Sequence, residues 1–283
     1  MTAEQLSRLI GTDVTDYEPV GGGDICAANR AKLADGRTVF VKTLPSAPEG
    51  FFAAEAAGLC WLAGASGGVP TPDVIAHSDT RLVLQWIAPG PPSAAAAERF
   101  GRSLAATHSA GVKVFGIPDR DAWIGTLKLP GGPWESWPTM WAEGRVLPYL
   151  RAAVDAGSIR AKDAYDVERL LNRIDEYAGP VEPPSLIHGD LWAGNVVWTA
   201  EGSAYLVDPA THGGHRETDV AMLDLFGLPY LDRAIAAYHE ATPLADGWRD
   251  RMALHQLHPV LVHAVLFGGS YGAQAGRLAR MIT

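Results

Sequence analysis

The spacing of hydrophobic residues along this chain changes near residue 90. Before that point they alternate, or cluster in short runs between turn residues. Tyr17-Glu18-Pro19-Val20, Ile25 to Leu33 and Thr38-Val39-Phe40-Val41-Lys42 read as strands, separated by turns at Gly21-Gly22-Gly23 and Ala34-Asp35-Gly36-Arg37. Phe51, Phe52, Ala56, Leu59 and Leu62 then recur at helical spacing over 48–62, and Arg81 to Ile87 reads as one more strand. The first ten residues suit a short amphipathic helix. The cluster Ala88-Pro89-Gly90-Pro91-Pro92 marks a boundary, beyond which the spacing is mostly helical, over 94–108, 134–156, 161–177, 219–225, 231–239 and 248–267. The expected architecture is therefore α+β with two lobes: a small β-rich N-lobe over 1–87 and a larger, mostly helical C-lobe over 88–283. No internal repeat is visible.

Composition narrows the class of protein without identifying it. The chain has 283 residues, 47% of them hydrophobic and 19% charged, as in ordinary globular proteins. No stretch approaches the ~20 uninterrupted apolar residues of a membrane span. The N-terminus has no basic stretch before an apolar block, so a cytoplasmic location is the default expectation. Against 32 acidic residues stand 23 Lys and Arg, a formal charge of −9, and no basic cluster stands out. That argues against nucleic acid or an anionic membrane as the main partner. Cys26 and Cys60 are too few for a disulfide framework and lack metal-knuckle spacing.

The chemistry concentrates in Leu186-Ile187-His188-Gly189-Asp190-Leu191-Trp192-Ala193-Gly194-Asn195 and in Val207-Asp208-Pro209-Ala210. Asp190 can meet an attacking hydroxyl. Asn195 and Asp208 offer the hard oxygens that Mg²⁺ prefers. Between them, Val196-Val197-Trp198 and Ala204 to Val207 flank a Gly-containing turn, so a hairpin should bring the two ligand candidates together across 13 positions of sequence. Asp190 precedes Asn195 by five positions, the interval between base and metal ligand in the catalytic loop of protein kinases.

The first lobe supplies what such a centre needs for a nucleotide. Gly21, Gly22 and Gly23 allow backbone amides to approach phosphate oxygens, Lys42 ends a strand where it can hold the α- and β-phosphates, and Glu55 lies in the next helix where it can pair with that lysine. Adenine is then expected against the strand at Leu84, with main-chain groups of Gln85, Trp86 and Ile87 as partners. After Ala210 only eight residues precede Asp219, too few for the long segment on which protein kinases lay a peptide, so the acceptor should be compact. Trp192 either stacks on that acceptor or braces the loop. His188 and Asp219 read as loop braces. His255, His258 and His263 raise the question of zinc, but Pro259 interrupts their helix and no carboxylate completes a ligand pattern.

With these elements in order, the chain resembles the fructosamine kinase (ketosamine kinase) family nearly end to end. Further matches lie at Glu143-Gly144-Arg145, at Gly214-His215-Arg216-Glu217-Thr218-Asp219 and at Phe267-Gly268-Gly269-Ser270-Tyr271. The resemblance implies a protein-kinase-like fold and phosphorylation, by ATP with Mg²⁺, of a sugar hydroxyl on a ketosamine, either a small molecule or a glycated protein lysine. It makes Asp190 the base, Asn195 and Asp208 the metal ligands, and Lys42 with Glu55 the phosphate-positioning pair. The chain departs from the family at Asp24, where some members carry a cysteine, and at His258-Pro259 and Val262. An aminoglycoside- or choline-type kinase shares the base and the metal ligands; a non-catalytic nucleotide-binding scaffold is the rival of another class.

Overall fold

The structure is a computed structural model and describes residues 3–21 and 25–283. Five strands, β1 (Val14–Pro19), β2 (Ala27–Leu33), β3 (Thr38–Thr43), β4 (Val74–Ser78) and β5 (Arg81–Gln85), form an antiparallel sheet in the order β1-β2-β3-β5-β4. Successive side chains of a strand point to opposite faces, and β3 uses both. Val39 and Val41 pack with Ala31, Leu33, Val83 and Leu6 of helix α1 (Ala3–Ile10). Phe40 joins Leu82, Leu84, Phe51, Phe52, Ala56 and Leu59 on the face covered by α2 (Phe51–Ala63). Lys42 shares the parity of Phe40, and so meets Glu55 of α2 in a buried setting.

The second lobe opens with α3 (Ala94–His108), a hairpin of β6 (Ala122–Ile124) and β7 (Leu127–Leu129), and α4 (Trp137–Thr139), which leads through a π-helical segment, Met140–Val146, into α5 (Leu147–Asp155). α6 (Ala161–Leu171) and α7 (Ile174–Tyr177) precede β8 (Ser185–Ile187), β9 (Val196–Trp198), β10 (Ala204–Leu206) and β11 (His212–Gly214), and then α8 (Arg216–Phe226), α9 (Leu231–Ala241), α10 (Met252–Phe267) and α11 (Tyr271–Ile282). β9 pairs with β10, Val196 opposite Leu206, as the expected hairpin; β8 pairs with β11, Ile187 opposite His212. Among the described residues no helix is long and apolar enough to cross a membrane.

Several expected helices differ in extent, each for a local reason. The segment 134–156 does not start at Trp134, because the Ser136 hydroxyl accepts Thr139 N and Pro138 fits the first turn. The segment 161–177 breaks after Leu171. The last apolar-spaced helix starts at Met252 and runs straight through Pro259, contrary to the expected interruption. Its residues are buried around most of the circumference, among them Leu254, Leu257, Val260, Leu261 and Ala264. At ~1.5–3 kcal/mol for each large side chain, that outweighs the ~3 kcal/mol cost of an interior proline. The strand expected over 81–87 ends at Gln85.

Candidate active site

The short strand β8 delivers the chain into His188-Gly189-Asp190, and a buried carboxylate fixes the turn from below. Asp219, fully buried in the first turn of α8, accepts His188 N at 2.7 Å and Gly189 N at 2.9 Å, while His108 Nε2 contacts it at 3.1 Å. Gly189 has φ +81°, and a Cβ there would lie 2.4 Å from the Ala210 carbonyl, so this position between His and Asp accepts glycine alone. His188 then ties the loop to the hairpin: its Nδ1 accepts Asp190 N (3.2 Å) and its Nε2 donates to the Val207 carbonyl (2.9 Å). Both residues act as the braces expected of them.

Asn195 closes the loop from the other end. Its Nδ2 donates to the Asp190 carbonyl at 2.8 Å and to Asp190 Oδ2 at 3.2 Å, which leaves Oδ1 as an acceptor without a partner among the described residues. Depth in the cleft, reinforced by the charge of Asp208, pushes the Asp190 carboxyl up to about 7. The Asn195 carbonyl also accepts Val207 N at 3.1 Å, so the hairpin brings Asp208 beside Asn195 as the sequence implies. Asp208 sits at φ 55°, one of two non-glycine residues in that region among the described residues.

Lys42 joins the lobes. It is 7% exposed, and its Nζ donates to both carboxylate oxygens of Glu55 at 2.9 Å and to Asp208 Oδ1 at 2.7 Å. An ammonium group has three protons, and all three are engaged. Burial alone would lower its pKa, but the two carboxylates outweigh that and hold it above the usual lysine value. α2 can lie this close to the Asp208-Pro209 segment because Gly58 has no side chain: a Cβ there would meet Thr211 Oγ1 at 3.1 Å.

Of the glycine triplet, Gly21 ends β1's exit, while Gly22 and Gly23 lie outside the described residues. At the expected adenine edge, Gln85 N donates to the Asp73 carbonyl (2.9 Å) and Trp86 N to Thr38 O (3.3 Å), so of the three amides there only that of Ile87 has no backbone partner among the described residues.

Trp192 is 39% exposed, with its ring over Gly194. It begins an aromatic shelf: Phe226 lies 6.3 Å from it, His263 4.9 Å from Phe226, and Phe267 and Tyr271 5.4 and 5.1 Å from His263. Sequence reading missed this shelf because its members come from three separated segments; the signal available was Phe226 and Phe267, two large apolar residues at helix ends beside glycines. The three histidines considered for zinc do not converge. The grouping that exists is His215, Glu217 and His255. There His215 Nδ1 accepts Glu217 N, so its Nε2 carries the proton, and Arg251 holds both oxygens of Glu217 at 2.9 and 2.6 Å. A cation finds no free imidazole lone pair on His215. The Arg216-Glu217-x-Asp219 block is instead scaffolding: Arg216 pairs with Glu182 through both oxygens at 2.7 and 2.6 Å, Glu217 with Arg251, and Asp219 with the loop.

The family model described as fructosamine kinase matches residues 1–283. A probable ketoamine kinase of Enterococcus faecium is 34% identical over 265 residues, covering 92% of each chain, and one of Thermus thermophilus is 36% identical over 254 residues, covering 89% of this chain and 88% of its own. Among solved structures, a candidate fructosamine-3-kinase of Thermobifida fusca is 47% identical with a TM-score of 0.94, over 99% of this chain and 98% of that one. A spectinomycin phosphotransferase solved with ADP and spectinomycin is 14% identical, with a TM-score of 0.58 over 98% of this chain and 92% of its own, and shares the fold alone. The sheet lobe and the helical lobe thus belong to a protein-kinase-like phosphotransferase that uses ATP, and the chain is a member of the fructosamine kinase family.

Proposed function

We propose that the cleft transfers the γ-phosphoryl group of ATP to a sugar hydroxyl of a ketosamine, with residues 1–87 as the nucleotide lobe and 88–283 as the acceptor lobe. The observation that carries this reading is the convergence on one ammonium group, Lys42, of Glu55 from the first lobe and Asp208 from the second, with Asp190 and Asn195 joined alongside. Asp190 takes the proton of the acceptor hydroxyl as its oxygen bonds to the γ-phosphorus and the bond to the ADP oxygen breaks. A carboxyl raised to about 7 is matched to that task, being deprotonated through the upper physiological range yet basic enough to hold the proton. Lys42 meets the α- and β-phosphates with the proton it now gives Asp208, while Glu55 keeps the ammonium in place.

The donor set fits a magnesium ion: Asn195 Oδ1 and the second oxygen of Asp208 are hard, and neither has a protein partner among the described residues. Bound there, Mg²⁺ would supply neutralisation of phosphate charge. Trp192 would stack on the sugar face, and the half-exposed shelf running to Phe267 would accept the amine side of the adduct. Because the shelf opens to solvent, a glycated lysine on a protein can reach it as well as a free ketosamine, which suits repair of glycated amines.

A substrate panel tests the assignment. ADP release with ribulosamine- or fructosamine-lysine, and none with choline or kanamycin, is expected. The reverse pattern would make the chain an aminoglycoside- or choline-type kinase on the same machinery, and calorimetry without Mg·ATP binding would make it a scaffold.

A further inference from the structure

A small cavity lies behind the catalytic loop, bordered by Gly189. Its walls include Trp141, Arg145, His212, His255 and His258, and about 10 Å³ of it is open to the centre of a water-sized sphere, room for one water-sized or monatomic occupant. Three of these residues carry a buried polar atom with no hydrogen-bond partner among the described residues: Trp141 Nε1, Arg145 Nη2 and His258 Nε2. Buried polar atoms are nearly always satisfied. Three of them on the walls of one void call for an occupant.

Charge decides which kind. Arg145 is 2% exposed and rises from the π-helical segment, yet it meets only neutral acceptors: Nη1 donates to the carbonyls of Pro130 (2.8 Å) and Gly144 (3.1 Å), and Nε to His212 Nε2 (3.4 Å). Among the described residues no carboxylate forms an ion pair with it. An uncompensated buried charge is expensive. Burial, followed by the Arg145 charge, holds both His212 and His258 neutral, so neither offsets the guanidinium. The unused donors are Arg145 Nη2 and Trp141 Nε1, and indole can only donate. His258 gives its Nδ1 proton to the Arg145 carbonyl (2.7 Å) and so presents a lone pair at Nε2. His255 Nε2 stands 3.3 Å from Glu217 Oε2. A water would use the His258 lone pair but leave the guanidinium charge unbalanced; an anion balances it.

We propose that this void is a binding site for one halide ion, chloride in ordinary solution, held by Arg145 Nη2 and Trp141 Nε1. Occupancy would stiffen the reacting segments, because Arg145 also contacts His212, and His212 Nδ1 donates to the Ala210 carbonyl at 2.8 Å, two residues beyond Asp208.

Thermal unfolding at constant ionic strength, with chloride or bromide replacing gluconate, reads the site directly. Both halides are expected to raise Tm saturably, as any ligand selective for the folded state does, and bromide should give an anomalous-diffraction peak between Arg145 and Trp141. Trp141→Phe keeps an aromatic ring and removes one donor; the half-saturating halide concentration should rise about 10-fold, the scale of one hydrogen bond to a charged group. If that variant does not fold, the bromide peak in the unaltered protein decides alone. Equal melting in all three salts, or bromide peaks only on the outer surface with a water in the void, overturns the proposal.

Discussion

Two clusters of buried charge flank the loop His188-Gly189-Asp190, and they differ in what they leave free. Beneath the loop, Glu217 gives both oxygens to Arg251, Glu182 gives both to Arg216, and Asp219 divides its two between His188 N and Gly189 N. In the cleft, among the described residues, Asp208 gives one oxygen to Lys42 and keeps the other, and Asn195 keeps its side-chain carbonyl. Both clusters are rich in charge, and charge alone would not tell them apart. A carboxylate whose lone pairs are all met within the protein is scaffolding; one with a lone pair left over, facing a cleft, can be addressed by a ligand. The strained φ of Asp208 belongs to the second cluster, where local strain is a common companion of function.

The sharpest way to break this distinction is Asp190→Asn. The substitution keeps the size and the contact with Asn195 but removes the proposed base, so kcat should fall by ~10²–10⁴-fold while the Kd for Mg·ATP stays within about 2-fold, a change worth ~0.4 kcal/mol. Single-turnover kinetics with calorimetry would check both. Undiminished turnover would remove Asp190 from the chemistry and erase the contrast.

Arg251→Met probes the closed cluster, and the expected effect is on stability. Removing one partner of a buried pair costs about 3–5 kcal/mol, because Glu217 would be left charged and fully buried. Chemical denaturation should show the loss, while activity per folded molecule is largely kept. A variant as stable as the parent but inactive would place Arg251 in the chemistry instead.

A smaller effect follows from pH. Burial would raise the Glu217 carboxyl, but hydrogen bonds from His255 and Arg251 outweigh it and hold the group down to about 2, against roughly 4.3 in an unfolded chain. As pH falls, the unfolded state therefore takes up the proton first. The stabilisation is complete above about pH 5, weakens as pH drops below roughly 4 and is gone below about 2. The Tm gap between the unaltered protein and Glu217→Gln should thus narrow on acidification from neutral pH. A constant gap would show that Glu217 does not titrate in this way.

The open cluster was the legible one. Lys42, Glu55, Asp190, Asn195 and Asp208 could be placed from sequence because each sits at a fixed interval from a strand end or a turn, and intervals survive folding. The closed cluster was only partly legible: Asp219 and His188 read as braces from their distance to the loop, whereas the pairing of Arg216 with Glu182 and of Arg251 with Glu217 spans 34 residues each and leaves no local trace. In the fold, β2, β3, β5, α2 and α3 were readable by period, whereas β4, between Pro72 and the turn at Asp79, was not read. The three-residue strands β6, β8 and β11 are too short to show one, and α11 was hidden by its small residues, Gly272 and Gly276, which exist to let it lie against Ser158 and Asp163.

The smallest predicted effect concerns Trp192, at the edge between the two clusters. Its ring lies against Gly194 and the edge of Phe226, and it is 39% exposed. If it serves as the sugar platform, Trp192→Ala should raise KM for a ketosamine by about 3–10-fold, the scale of one stacking contact of ~0.5–1.5 kcal/mol, and leave KM for ATP unchanged, while Trp192→Phe recovers most of the loss. Equal damage to both KM values would mean that the ring braces the loop carrying Asp190 and Asn195, which would move Trp192 to the scaffolding side of the comparison.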